Sequence, residues 1–338
     1  RDAFLLTATS EGVTGSAGFT EIEQMADSLT NEGLAGVVDS YTPISAAVAS
    51  LDIRGLQAVA NYSANSTTLV FSIPSIGINE SFTGATRDES QQLFLDWLQG
   101  DGNEALTRML QELAAVSPID PVAGNPNSLM AQMAAADFDS GSRLGMGADD
   151  VAGGALEVGA RLGRFTADDF DTDVYTVPIN YTYALDSDPR KAVIIDAPLT
   201  YIDNNGSDTY NGSLGVGFRI PLMRNWDVTP MARVGAVGSQ DLGSVAAIYS
   251  LSATSSYRIH LDDVALTIGN MLAQYWTTSI SAGDYDIDYD LQNTVLRNGI
   301  GVEGSLPFKV FGGEGTSWQL SLVDTRFFGD DLYVEYYN

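Results

Sequence analysis

The chain carries a single histidine, His260, and no cysteine. A thiol nucleophile, a Cys/His pair, a disulfide framework and a Cys/His zinc site are therefore excluded. His260 stands near Asp262 and Asp263 at the end of a strand pattern. A histidine in that setting is ordinarily solvated, so a Ser/His/Asp hydrolytic site built on it is the minor reading. No Gly-x-Ser-x-Gly elbow, P-loop or His-Glu-x-x-His is present. The expectation is a protein that is not an enzyme and holds no cofactor. Asp284, Asp286, Asp288 and Asp290 alternate along one stretch, and carboxylates in that spacing could take calcium, a hard ion that prefers oxygen. They lack the EF-hand loop pattern, which leaves calcium the weaker reading and a solvated acidic face the ordinary one. The remaining charged residues of interest are Arg161, Arg219, Arg233, Arg258 and Arg297, which share one face of alternating segments with Glu157, Asp196, Asp227 and Glu303.

The elements that carry those residues change character along the chain. Residues 1 to 50 read as loops with short helical pieces near 19–34 and 44–51, and residues 56 to 75 as a β-hairpin, within an N-terminal segment 1–86. Over 87–149 the apolar period becomes helical. Leu93, Phe94 and Trp97 share a face, as do Leu106, Met109 and Leu113, and a short third helix is expected over 129–135. From about residue 150 to 338 a period of two takes over, with turn residues such as 186–189, 204–206 and 224–225 between runs. That gives ten strands, or twelve with the upstream hairpin. Two of the runs are long, and residues 261–306 read as a hairpin projecting past its neighbours with the Asp284–Asp290 ladder at its tip.

Composition narrows the class. There are 16 Lys+Arg against 44 Asp+Glu, a formal charge of -28, which excludes nucleic-acid partners because phosphate binding needs concentrated basic residues. Lys191 and Lys309 are the only lysines, so there is no polybasic membrane patch. No apolar run reaches transmembrane-helix length, a fact that leaves β-barrels untouched. The opening Arg1-Asp2-Ala3 has no charged region followed by an apolar one, so any signal peptide is expected to have been removed or to lie outside this sequence.

Alternation alone fits a soluble β-sandwich as well as a membrane barrel. The second face decides between them. It is Gly, Ser, Thr and Asn with a few Arg and acids, which suits a crowded polar lumen, while the apolar face carries Tyr175, Tyr183, Tyr201, Tyr210, Trp226 and Tyr257 toward strand ends. Such rings favour the headgroup level of a bilayer. Arginine facing lipid near the midplane costs about 2–4 kcal/mol, so the arginine face is the lumen.

The helical stretch, the segment Ser117-Pro118-Ile119-Asp120-Pro121-Val122-Ala123-Gly124-Asn125-Pro126-Asn127-Ser128-Leu129 and the closing alternation of Leu332, Val334 and Tyr336 together resemble the autotransporter-type β-barrels of Gram-negative outer membranes, over roughly residues 87–338. The resemblance implies an all-β transmembrane antiparallel barrel of ten to twelve strands with the preceding helix inside the pore. It implies outer-membrane lipid or lipopolysaccharide and the barrel-assembly machinery as partners, together with a translocated polypeptide. The chain departs from the family by ending in Tyr336-Tyr337-Asn338, without an aromatic last residue, and by having few residues ahead of residue 87. Residues 1–150 hold 20 acids and 5 bases. The expected mechanism is an arginine-lined wall that grips this acidic segment through Asp88, Glu89, Asp96, Glu104 and Glu112. The alternative is that the arginines pair with Glu157, Asp196, Asp227 and Glu303 across neighbouring strands. Function is expected to be that of a pore or translocator passing or displaying a polypeptide. The other readings are an adhesive or structural outer-membrane protein acting through the 261–306 hairpin, and a diffusion porin.

Overall fold

The computed structural model describes residues 1–144, 153–261, 264–282, 285–306, 316–334 and 336–337, without the side chains of 282, 285, 286, 306, 316, 336 and 337. The first 116 residues form a unit of their own. Strands β1 (Phe4–Ser10), β2 (Val13–Phe19), β3 (Ala47–Ile53), β4 (Leu56–Tyr62), β5 (Leu69–Ile73) and β6 (Ile78–Phe82) make an antiparallel sheet in the order β2-β1-β3-β4-β5-β6. Helices α1 (Ile22–Asp27), α2 (Asn31–Val37), α3 (Arg87–Gln99) and α4 (Asn103–Val116) cover its apolar face. The expectation of loops and a helix over 44–51 is corrected: Ala47, Ala49, Leu51 and Ile53 alternate inward as a strand. So do Phe4, Leu6 and Ala8. Alanine at the inward positions dilutes the period-two signal, because it is a weak hydrophobe and a good helix former.

Residues 117–128 thread from this cap into the second unit, and α5 (Leu129–Ser142) follows. Around α5 curls an antiparallel wall. Its strands are β7 (Gly153–Val158), β8 (Arg161–Ala167), β9 (Phe170–Val177), β10 (Ile179–Leu185), β11 (Asp188–Asp196), β12 (Leu199–Asn204), β13 (Ser207–Met223), β14 (Trp226–Ser239), β15 (Ser244–Leu261) and β16 (Val264–Thr278). A two-strand offshoot, β17 (Ile280–Ala282) with β18 (Tyr285–Ile287), precedes β19 (Gln292–Leu306), β20 (Thr316–Gly329) and the short β21 (Tyr336–Tyr337). With β7 and β8, β9 and β10, and β11 and β12 each taken as one strand line, successive lines of the wall are neighbours in space. The first three strand lines are each broken once, so that β7 pairs β10 while β8 pairs β9, and β9 and β10 pair β12 and β11. Among the described residues no pairing joins the first line to the last. Tyr333 nevertheless donates from its hydroxyl to Asp168 at 2.6 Å, bringing the end of the chain to the first hairpin turn.

The 261–306 segment does not project as a long hairpin. Strands β16 and β19 pair from Val264–Gly304 to Trp276–Gln292, and the connection beyond them folds down onto the cap, with Tyr289 and Leu291 buried. Strand β18 lies against α3 and α4, and burying Tyr289 and Leu291 beside it removes apolar surface that a free hairpin would expose to water.

The wall is inside out relative to a water-soluble sheet. Along β15, Ser250, Ser252, Thr254 and Ser256 are buried while Tyr249, Leu251 and Tyr257 are exposed. The same inversion holds on β13 and β14, where Leu214, Val216, Phe218 and Val234 face out and Arg219, Thr229 and Arg233 face in. No helix among the described residues is long and apolar enough to cross a membrane.

Candidate functional site

The lumen is filled by α5, which Ser128 caps by accepting from the Ala131 N–H. Its residues Met130, Met133, Ala134 and Phe138 are fully buried. The wall lets the helix approach closely through glycines. A Cβ at Gly269 or Gly299 would lie 2.9 or 2.8 Å from the ring of Phe138, and one at Gly235 would lie 2.7 Å from the sulfur of Met133. Glycine in these strands is thus set by the diameter of the plug.

At the centre sits a buried ionic cluster. The Arg233 guanidinium donates from Nε to Asp137 on α5 at 2.6 Å, from Nη2 to Asp196 on β11 at 2.6 Å and from Nη1 to the Ser213 hydroxyl at 2.9 Å. Tyr275 donates to the second oxygen of Asp137 at 2.9 Å. The side chains of Arg233 and Asp137 are fully excluded from solvent, so each depends on the other to offset its desolvation. Two further ion pairs tie the helix to the wall, Arg161 to Asp139 and Arg143 to Asp227, both at 3.0 Å. Ser256 donates to the Ser142 carbonyl at 2.7 Å near the far end of the helix.

Both kinds of pairing occur, the grip on the helix through acids other than those expected and the cross-strand pairing through two of the expected ones, Asp196 and Glu303. The acids gripped by the wall are Asp137 and Asp139, whereas Asp88 accepts from the Asn31 N–H, Glu89 from Ala85 and Asp96 from Gln92. Across strands, Arg233 meets Asp196 and Arg258 meets Glu303. Arg219 and Arg297 are buried on the lumen side, the latter over the Phe138 ring at 5.4 Å. Glu157 is half-buried on β7.

The plug residues named from the helical period lie elsewhere, and that expectation is corrected. Leu93, Phe94 and Trp97 belong to α3, and Leu106, Met109 and Leu113 to α4, both on the cap. Phe94 packs against Phe71 at 4.5 Å and Phe82 at 5.5 Å, and Trp97 against Phe82 at 5.6 Å. A strongly apolar helix face finds its partner on the apolar face of a sheet; a polar lumen would leave it without one. The helix that does enter, α5, mixes Ala, Met, Ser, Gly and Asp, so its amphipathic signal is weak.

The girdle residues sit on the outer surface. Tyr175, Tyr201 and Tyr210 lie in register on adjacent strands with ring centroids 5.8 and 5.2 Å apart. The next outward row toward the cap is Asp173, Asp203 and Asp208. Tyr249 stacks on Trp276 at 5.1 Å, and Trp226 pairs Tyr257 nearer the opposite mouth, with Tyr183 also exposed there. Tyr249 and Tyr257 are separated along β15 by a length of about 26 Å at a strand rise of about 3.3 Å per residue. With the usual barrel tilt that is roughly 20 Å of height, close to the apolar band of an outer-membrane barrel.

Against the cap mouth, Arg54 donates to Asp120 at 3.5 Å and to Ser244 at 3.0 Å, and Tyr289 shares Ser244 at 3.1 Å. Cap, linker and two barrel connections therefore meet at one buried junction. Burial pushes the Asp120 carboxyl above the usual carboxylate range, against the pull of Arg54 and of the N–H groups of Ala123 and Val122. Of the four calcium candidates, Asp288 and Asp290 have described side chains. Asp284 and the side chain of Asp286 lie outside the described residues, Asp288 accepts from the Asp290 N–H, and Gln111 donates to the Asp290 carbonyl. No group of acids and histidine suited to a metal occurs among the described residues. His260 is exposed at the end of β15, and its neighbours Asp262 and Asp263 lie outside the described residues.

The fold and its lumen define an antiparallel β-barrel wall filled by a helix and capped by a separate β-sheet unit. Among solved structures, the chain is similar to the β domain of the Bordetella autotransporter Brka, at 14% identity and a TM-score of 0.37, covering 52% of this chain and 80% of that one. No family model and no curated protein matches.

Proposed function

We propose that the chain is an outer-membrane β-barrel of the translocator kind that holds its own N-terminal unit at one mouth, with α5 as the segment left inside the pore. The observation that carries this reading is the inverted wall. Leu162, Leu251, Leu272, Leu320 and Leu322 are each more than half exposed while arginines and hydroxyls line the interior. Water would penalise such a surface, whereas lipid matches it. The aromatic rows, followed by an aspartate row toward the cap, supply the two edges of the band.

On this reading the lipid or lipopolysaccharide of a Gram-negative outer membrane surrounds the wall. The barrel-assembly machinery inserts it, and the polypeptide carried is the chain's own cap. His260 has no catalytic role in the proposal. A permanently plugged display or adhesive protein is the second reading, favoured by the buried clamp on α5 and the bolted junction at Arg54. An open diffusion porin is disfavoured by the same two features.

The test uses the absence of native cysteine. Ser50 lies exposed on the cap. Ser50→Cys in intact cells should react with a membrane-impermeant maleimide if the cap stands outside. Labelling that begins only after lysis would contradict outward display.

A further inference from the structure

The helices of the cap cover one face of its sheet. The other face is open and almost free of charge. Among the outward positions of β1 to β6 the single formal charge is Asp52, in the row nearest the barrel, and Arg1 pairs with it. Residues 40–79 hold only Asp52 and Arg54, where forty residues at the chain's 18% would hold about seven charges. Elsewhere the cap is strongly acidic, since residues 1–116 carry 15 acids against 4 bases. A solvated strand face ordinarily carries charges, which keep it from meeting another sheet.

The chemistry of the open face suits contact more than hydration. Val48, Val59 and Val70 stand outward on the adjacent strands β3, β4 and β5. Beside them the hydroxyls bond to one another, Thr7 to Ser16 at 3.1 Å and Thr9 to Thr14 at 2.8 Å, with Thr68 and Thr83 at 2.8 Å just past the ends of β5 and β6. Hydroxyls that already have partners lose less when water is removed.

The occupant that fits is a second copy of this chain. Approach by any other side of the cap brings acid against acid, whereas here neutral surface meets neutral surface. The strands stand on the barrel by one end, where Arg54 donates to Ser244 and the Ser207 hydroxyl donates to the Thr20 carbonyl just past β2. The face therefore points sideways. A two-fold axis along the strands sets two such faces together with both barrels pointing the same way. About that axis β3 of each copy meets β4 of the other, so Ser50 lies opposite Val59 of the second copy. Strands about 4.8 Å apart with a rise of about 3.3 Å per residue give the face an outline of roughly 500 Å². The pair then buries about 1,000 Å², the lower limit for a specific interface, so the contact is weak in dilute solution and fills when copies are held close together.

We propose that the open face of the cap sheet is a self-association surface through which two copies of this chain pair sheet to sheet about that axis. The contact does not depend on the membrane-spanning reading, which adds only that both copies stand in one bilayer. An interface of this size exchanges, so Ser50 stays within reach of a small maleimide.

The test is cross-linking of the full chain in detergent micelles, with Asn61→Cys as its single cysteine and a short bis-maleimide as the probe. Asn61 points outward on β4, so its two copies lie about one strand spacing apart across sheets about 10 Å from each other. The yield of cross-linked dimer should exceed by at least about tenfold that from Glu32→Cys, which is exposed on α2 behind the sheet. Adding Val59→Asp should lower the yield at least about fivefold, as should adding Ser50→Lys, because each places like charges on both sides of the axis. Mixing the two charged variants should restore it, a recovery that misfolded proteins would not show. Asn61→Cys that cross-links no better than Glu32→Cys, a yield that neither charge lowers, or a mixture as poor as its components would each overturn the proposal. A position 61 that is shielded from maleimide in whole cells without forming dimer would give the face to a different partner, and would overturn it as well.

Discussion

Asp137→Ala is the most informative single perturbation of the plug. The substitution removes the acceptor of the Arg233 Nε bond at 2.6 Å and of the Tyr275 hydroxyl at 2.9 Å, in a cluster where both charged side chains are excluded from solvent. Asp196 remains for Arg233, so the guanidinium keeps one carboxylate and Ser213. Breaking a buried pair by removing one partner costs about 3–5 kcal/mol, and the surviving Asp196 contact places the expected loss at the lower end, about 3 kcal/mol. At about 1.4 kcal/mol per decade, that shifts the equilibrium between seated and released α5 by roughly 100-fold. Pulse proteolysis across a urea series, scoring cleavage within residues 129–142, reads this shift directly. Replacing both partners by apolar residues, Asp137→Leu with Arg233→Met, should recover most of it, because no uncompensated charge is then left in the lumen. A single variant that resists proteolysis within about 0.5 kcal/mol of wild type would refute the reasoning, since an effect of that size belongs to exposed pairs.

Three further outcomes follow from the same geometry. Ala253→Arg, on the outer face of β15 midway between the aromatic rows, should cost about 2–4 kcal/mol of folding stability in phospholipid vesicles by urea titration, whereas a water-facing site would lose under about 0.5 kcal/mol. Gly299→Ala places a Cβ 2.8 Å from the Phe138 ring and should destabilise by about 1–3 kcal/mol through overpacking, relieved when Phe138→Leu is added. Asp120 binds its proton more tightly folded than unfolded. Its contribution to the cap junction is therefore fully present below the ordinary carboxylate pKa and is lost as pH rises through the raised value. Asp120→Asn removes that titration, so the difference in urea midpoint between wild type and variant should move against wild type on going from acid to neutral pH, and a pH-independent difference would contradict it.

The wall was legible in the sequence because period two survives wherever an outward Leu, Val or Tyr faces an inward Ser, Thr or Gly, as from Tyr249 to Tyr257. The breaks at 159–160, 178 and 197–198 were hidden, since a single proline or glycine inside an alternating run leaves the pattern on either side intact. The sequence does not mark which helix is the plug, for a physical reason. Helical periodicity measures an apolar stripe, and the best stripes, on α3 and α4, are those that need an apolar sheet. A helix destined for a polar lumen carries small residues and a few acids, so the run over 129–135 reads as a short helix without a stripe and nothing in it marks Asp137 and Asp139 as the acids the wall grips. The sheet of the cap was missed where alanine stands in for larger hydrophobes, at Ala8, Ala47 and Ala49.

The central claim, a lipid-facing wall around a seated α5, is tested most directly by single-cysteine spin labels stepped along β15 in phospholipid bilayers, possible because the chain has no cysteine of its own. Labels at 249, 251, 253, 255 and 257 should be open to oxygen and closed to a water-soluble nickel reagent, with the greatest depth midway between Tyr249 and Tyr257. Labels at 250, 252 and 254 should be immobilised against the plug. Outward labels that the nickel reagent reaches as freely as oxygen does would place this face in water and contradict the account.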